Sequence, residues 1–218
     1  MSWSIDPLTD KNKKEDEGVT KLREAIRWAT DGKPGVEEKH EVLLFCAWPD
    51  KGKTGKNNET YPKSIDPKQI IDVGAATSDG NPSPKVGNGK PDFFLPGIEL
   101  GIPVNTATRT SGQPPEKYKT YSGSSLSCAL AAGLAAMILY CAGKVETNHV
   151  WYLKKNENMK KAFEKVKSSE DGWVAVNKFF GHYAIKDASS PDKRKKLLKL
   201  IVGRFVQDMD LGTKLADS

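Results

Sequence analysis

The sequence predicts an α/β fold: a partial domain built on a mostly parallel sheet, flanked by helices on both faces and followed by a helical tail. Three observations predict it. The runs Glu41-Val42-Leu43-Leu44-Phe45-Cys46-Ala47 and Ile70-Ile71-Asp72-Val73-Gly74-Ala75 are continuously apolar over strand length, as expected of strands covered on both faces. Ahead of them, Leu22, Ala25, Ile26 and Ala29 recur at the three-and-four spacing of an amphipathic helix. Behind them, Ser125 to Cys141 reads as a long helix with Leu126, Ala129, Leu130, Gly133, Leu134, Met137, Ile138 and Cys141 on one broad stripe. Strands alternating with helices make α/β units.

The elements follow in order. Gly32-Lys33-Pro34-Gly35 stops the first helix. The stretch Asp50 to Lys68, rich in Lys, Gly, Asn and Pro, is a surface loop, and residues 77–91 are again loop. Between them lies the strand beginning at Ile70, and after them the short apolar Asp92-Phe93-Phe94-Leu95, closed by Pro96-Gly97. Gly101 to Lys119 shows little periodicity and much turn chemistry, so irregular backbone is expected there. Glycine and alanine in the long helix let neighbouring strands approach closely. Beyond Gly143 the chain turns to lysine-rich amphipathic helices at roughly 155–168, 170–181 and 191–208. These boundaries divide it into residues 1–142 and a helical extension, 143–218.

Composition excludes several functions. With 218 residues and 37% apolar content the chain builds one sizeable core. Met1-Ser2-Trp3-Ser4-Ile5-Asp6-Pro7 has no basic stretch followed by an apolar run, so no secretory signal is visible and a cytoplasmic location is expected. The most apolar segment, Ala129 to Ala142, is shorter than the ~20 residues of a membrane span and rich in small side chains. It reads as a buried helix, with no membrane partner. Cys46, Cys128 and Cys141 form no CxxC pair and read as buried thiols, so neither metal nor cofactor is expected. The net charge of +6 comes largely from Lys154 to Arg204. Lys193-Arg194-Lys195-Lys196 reads as an anion-attracting patch or a solvated helix face. No aromatic stripe interleaves it to stack bases, so nucleic acid is not an expected partner.

The segment that carries chemistry is Tyr121-Ser122-Gly123-Ser124-Ser125-Leu126-Ser127-Cys128, leading directly into the long helix. A serine becomes a nucleophile when it stands exposed on a tight turn, near a general base and beside N–H groups that stabilise an oxyanion. A Gly-Ser-Ser turn at a helix amino terminus supplies the turn and the amides. Taken alone, the same turn is equally an ordinary helix cap, because serine is a preferred N-cap residue.

In its surroundings the segment resembles the nucleophile motif of the subtilisin-like (S8) serine proteases, Ser-Gly-Thr-Ser-Met-Ala-x-Pro followed after two residues by Ala-Gly. Here Ser122, Gly123, Ser124, Ser125, Leu126 and Ser127 precede Cys128, Ala129 stands for the proline, and Ala132-Gly133 completes the spacing. Three further segments fall in the family's order. Ala47-Trp48-Pro49-Asp50-Lys51-Gly52 resembles its Ala-Ala-Gly-Asn-x-Gly stretch. Tyr61-Pro62 with Ile71-Asp72-Val73-Gly74-Ala75 resembles its Tyr-Pro-Ala and Val-Gly-Ala elements. Asp92-Phe93-Phe94-Leu95-Pro96-Gly97 resembles its Asp-x-x-Ala-Pro-Gly strand end. The opening Met1-Ser2-Trp3-Ser4 is similar to the strand that lines the substrate cleft. The later helices resemble, less specifically, the tail of subtilase modules inside fungal cells.

The resemblance implies the nucleophile-bearing half of a serine endopeptidase domain, acting on a peptide or protein substrate beside other domains of a larger protein. Ser125 is the nucleophile, Ser2, Trp3, Ser4 and Ser124 bind substrate, and Asp50 stands at the oxyanion-hole position, where most relatives carry Asn. An ionised carboxylate only accepts hydrogen bonds and so repels an oxyanion. The family's Asp-Thr-Gly and His-Gly-Thr-His motifs are absent, and His40, His149 and His182 lie in no such context. The isolated chain is therefore expected to be inactive. A truncated reading of a longer gene accounts for this, and the alternative is a non-catalytic pseudoprotease that keeps the cleft as a peptide-binding or regulatory module.

Overall fold

The computed structural model describes residues 17–31, 41–50, 62–86, 90–103, 118–168, 172–181 and 190–207. Ser2, Trp3, Ser4, His40 and His182 lie outside these residues.

Helix α1, Glu17–Asp31, buries Ile26 and Thr30. Strand β1 is Leu44–Ala47, shorter than the apolar run that announces it. Glu41, at φ 41°, takes the backbone out of extended geometry, and the Val42 N–H turns back to the Ala29 carbonyl at 2.9 Å. Strand β2, Ile70–Ala76, is buried at every residue, and β3 is Phe93–Pro96. The three form a parallel sheet in the order β1-β2-β3, with β2 central. That position explains its unbroken apolar run, because both faces and both edges are covered.

Residues 101–119 are not wholly irregular. Strands β4, Leu100–Pro103, and β5, Tyr118–Tyr121, pair antiparallel. Both are exposed along almost their whole length. No face is buried, so no alternation of apolar and polar residues reveals them.

Helix α2, Ser124–Val145, packs on the sheet and exceeds the expected span at both ends. It is the one helix among the described residues long and apolar enough to cross a membrane, yet Ser127, Cys128, Ala131, Leu134, Ala135, Ile138 and Ala142 are buried in the fold. The expected stripe is rotated. Ala129, Leu130, Gly133 and Met137 are exposed, as are Ala132, Ala136 and Tyr140. A helix apolar on every side carries no periodicity with which to select its inner face.

Helices α3, Thr147–Leu153, α4, Asn156–Val166, α5, Val176–Gly181, and α6, Pro191–Val206, follow. They share the core of the sheet: the Phe163 ring meets Phe93 edge-on at 5.2 Å and Phe45 at 6.1 Å, and Phe179 stacks on Phe205 at 5.2 Å. Phe163 is fully buried. Phe163→Ala is expected to cost about 3–5 kcal/mol of stability, the usual range for emptying a buried ring, read as a lowered urea midpoint of the single unfolding transition. The helix expected from 170 starts only at Val176. Ahead of it the chain runs along β3, with the Phe94 N–H donating to Gly172 O at 2.8 Å and the Val174 N–H to Phe94 O at 2.9 Å. Sheet-edge pairing there outweighs helical patterning.

Candidate active site

Because the sheet is parallel, β1, β2 and β3 all end on one side. In open α/β sheets ligands are held at these carboxyl ends, and the turn from Ser122 to Ser125 lies across them. Its Gly123 N–H donates to Gly97 O just past β3 at 2.7 Å. The Ala75 N–H of β2 donates to Ser124 Oγ at 3.0 Å. Asp50, three residues past β1, accepts twice from Ser124, from its N–H at 2.8 Å and its hydroxyl at 2.7 Å. Ser122 Oγ accepts from the Glu99 N–H at 2.9 Å. Gly123 caps α2 at φ 152° and ψ 156°, a positive φ that L side chains rarely adopt.

This arrangement divides the two serines. Ser124 is completely buried and its hydroxyl is spent on the fold. Ser125, one residue on, is exposed in the first turn of α2, where helix N–H groups and the positive end of the dipole favour a negative charge. Asp50, expected at the oxyanion-hole position, is bonded through both carboxylate oxygens to Ser124, the residue before Ser125. Its carboxylate is the anion that closes the amino end of α2. Because Asp50 and Ser124 bond twice, a double-mutant cycle should show coupling: Asp50→Ala and Ser124→Ala should each cost about 1–2 kcal/mol, and the double variant about 1 kcal/mol less than their sum.

The neighbouring glycines and serines explain residues that sequence reasoning passed over. Ser127 is fully buried, and its hydroxyl lies 3.0 Å from both Leu95 O and Pro96 O, so α2 is stitched to the last residues of β3. Gly97 allows it: a Cβ there would overlap Ser127 Oγ and lie 2.8 Å from Ala75 Cβ. Gly74 is equally constrained, by Pro91 Cγ at 2.7 Å and Phe94 Cε1 at 2.8 Å. Trp48 donates its indole N–H to Val86 O at 3.3 Å. None of these contacts is local in sequence. Their only trace in the sequence is the glycine following Val73 and the one following Pro96.

Beside Ser125 opens an apolar groove of about 670 Å³, walled by α1, by Val42 to Phe45 and by α2 at Ser125, Cys128, Ala129 and Ala132. Cys128 is no competing nucleophile, because burial raises its thiol pKa and the thiolate is the reactive form. Cys46 is pushed up to about 12, first by burial and then by Asp72. The one histidine among the described residues, His149, faces Glu146 at 3.8 Å, beyond the far end of α2. At 1.5 Å of rise per residue that is roughly 30 Å from Ser125. Among the described residues no group of three His, Cys, Asp or Glu is placed to hold a metal.

No curated protein matches the chain. Among solved structures it is similar to the prenylagaramide maturation protease PagA (20% identity, covering 78% of this chain and 56% of that one, TM-score 0.49). It is also similar to a lanthipeptide protease (18%, 72% and 53%, 0.46) and to the S218A mutant of the PatA protease domain (14%, 84% and 57%, 0.48). The chain thus spans a little over half the length of each. The sequence profile of the subtilase family, peptidase S8, matches residues 1–181. That match takes in the sheet, the turn from Ser122 to Ser125 and α2 through α5, and with it the chain belongs to the subtilase family.

Proposed function

We propose that this chain is the nucleophile-bearing part of a subtilisin-like serine endopeptidase domain. The observation that carries the reading is the turn at Ser125: an exposed serine in the first turn of a helix, held by hydrogen bonds to the carboxyl ends of three parallel strands. Ser125 Oγ attacks the scissile carbonyl carbon as its proton passes to an imidazole. The Ser125 N–H receives the oxyanion; collapse breaks the C–N bond as the imidazolium gives its proton to the leaving amine, and water, giving a proton to the imidazole, then attacks the acyl ester and frees the acid as that proton returns to Ser125 Oγ. The imidazole and its orienting carboxylate come from polypeptide outside this chain. The apolar groove and the bare outer face of α2, with Leu130, Met137 and Tyr140 exposed, support that assignment. Substrate runs as an extended peptide beside Ser2, Trp3 and Ser4.

One observation favours a second reading, a non-catalytic peptide-binding module. Asp50 places a carboxylate against the Ser124 N–H, where it competes with an oxyanion for the same helix end. One experiment separates the two. Joined to a segment bearing the Asp and His motifs, the chain should be labelled by a fluorophosphonate at Ser125 and the Ser125→Ala variant should not. Absence of labelling in the joined protein rejects the protease reading.

A further inference from the structure

We propose that the parallel sheet is a proton-sensitive element: Asp72, in the middle of β2, must carry a proton for the sheet to keep its full stability, so the protein is firmest in mildly acidic surroundings. Asp72 is 1% exposed, in register with Cys46 of β1 and level with Asp92 ahead of β3. Among the described residues neither of its carboxylate oxygens has a hydrogen-bond partner of good geometry, and the neighbouring Val73 N–H is the least of the influences on it. An ionised carboxylate in that state is costly to bury, and a protonated one much less so.

The cations nearby are committed elsewhere. Lys63, from the turn before β2, lies 2.6 Å from Asp92 Oδ2 and 3.0 Å from Ile70 O. Lys160 of α4 lies 3.0 Å from the same Asp92 oxygen and 3.1 Å from Pro67 O. The Asp72 N–H also serves Asp92, at 3.0 Å. Asp92 therefore takes both ammonium groups. Among the described residues the Cys46 and Cys128 thiols also feel Asp72, and Cys46, its partner in register, packs with Ile70 and with Ile26 of α1 in an apolar cluster. Burial is the largest influence on Asp72; Lys63 opposes it, Asp92 adds to it, Lys160 and the Val73 N–H oppose it more weakly, and the carboxyl is raised from 3.8 to about 7.

Between these two values the folded protein holds a proton that the unfolded chain has released, so stability falls as pH rises from about 4 to about 7 and levels off above. Asp92, whose pKa is lowered, acts on the other flank: its contribution is present above the ordinary carboxylate value and is lost as pH falls through its folded one. The loss at Asp72 is transmitted to the nucleophile turn, because Ala75, three residues along β2, holds Ser124 Oγ.

The test compares urea midpoints of the full chain and Asp72→Asn, an isostere of the neutral acid, from about pH 4.5 to about pH 8.5. The gap between variant and parent is expected to be smallest at the acid end, where most of it has yet to develop, and to grow in the variant's favour up to neutrality. The gap should then plateau at a difference of about 10²- to 10³-fold in unfolding equilibrium constant, tenfold for each pH unit that separates the folded carboxyl from the unfolded one. Infrared spectra near pH 6 should show the C=O stretch of a protonated carboxylic acid in the parent, lost in the variant. A gap independent of pH, a parent more stable than the variant at alkaline pH, or the absence of that band overturns the proposal. The band in the parent decides the matter even if the variant does not fold.

Discussion

In the chain joined to a segment carrying the family's Asp and His, Ser125→Ala is expected to lower the turnover of a peptide substrate by about 10⁶-fold, the order seen when subtilisin loses its nucleophile. Ser124→Ala should lower it far less. The contrast follows from the burial of the two hydroxyls: Ser124 is sealed between Asp50 and β2, whereas Ser125 faces solvent. Peptide-binding affinity should survive Ser125→Ala, so the loss should fall on kcat with KM nearly unchanged. Steady-state kinetics on the two variants checks this. Equal losses would mean that the turn, not the Ser125 hydroxyl, carries the effect.

The second large effect is structural. Gly97→Ala should destabilise the protein by about 2–4 kcal/mol, because the new methyl overlaps the buried Ser127 hydroxyl and lies 3.0 Å from Gly123 O. Either α2 shifts off β3, an overpacking cost of about 1–3 kcal/mol, or Ser127 turns away and forfeits its bond to the strand end, about 1 kcal/mol more. Ser127→Ala removes the obstructing oxygen. The double variant should therefore recover part of the loss, and urea midpoints of the three proteins measure it. No recovery would place the strain at Ala75 or Gly123 instead.

How far the sequence disclosed this arrangement depended on burial. Strand β2 was legible because all seven of its residues are buried, and β4 and β5 were not, because they bury almost nothing. The existence of α2 was plain from its length, but its inner face was not, since Ala129 and Ala131 are chemically alike and only the sheet distinguishes them. The amino end of α2 was legible to within one residue from the Gly-Ser-Ser turn. The partner of Asp50 was not, because 74 residues separate Asp50 from Ser124. At the start of α2 itself, Ser124 is fixed by its two bonds to Asp50.

The turn from Ser122 to Ser125 has unequal neighbours. On one side it is bonded to β2, which exposes nothing; on the other it continues from Tyr121, the last residue of an exposed hairpin. It behaves like a door leaf with a single jamb. The Ser122 bond to Glu99 belongs to the base of that hairpin, one residue beyond the Leu100–Tyr121 pair. Gly123 and Ser124 are tied instead to the ends of β3 and β2, so a displacement of the hairpin is expected to move Ser122 before it moves Ser125.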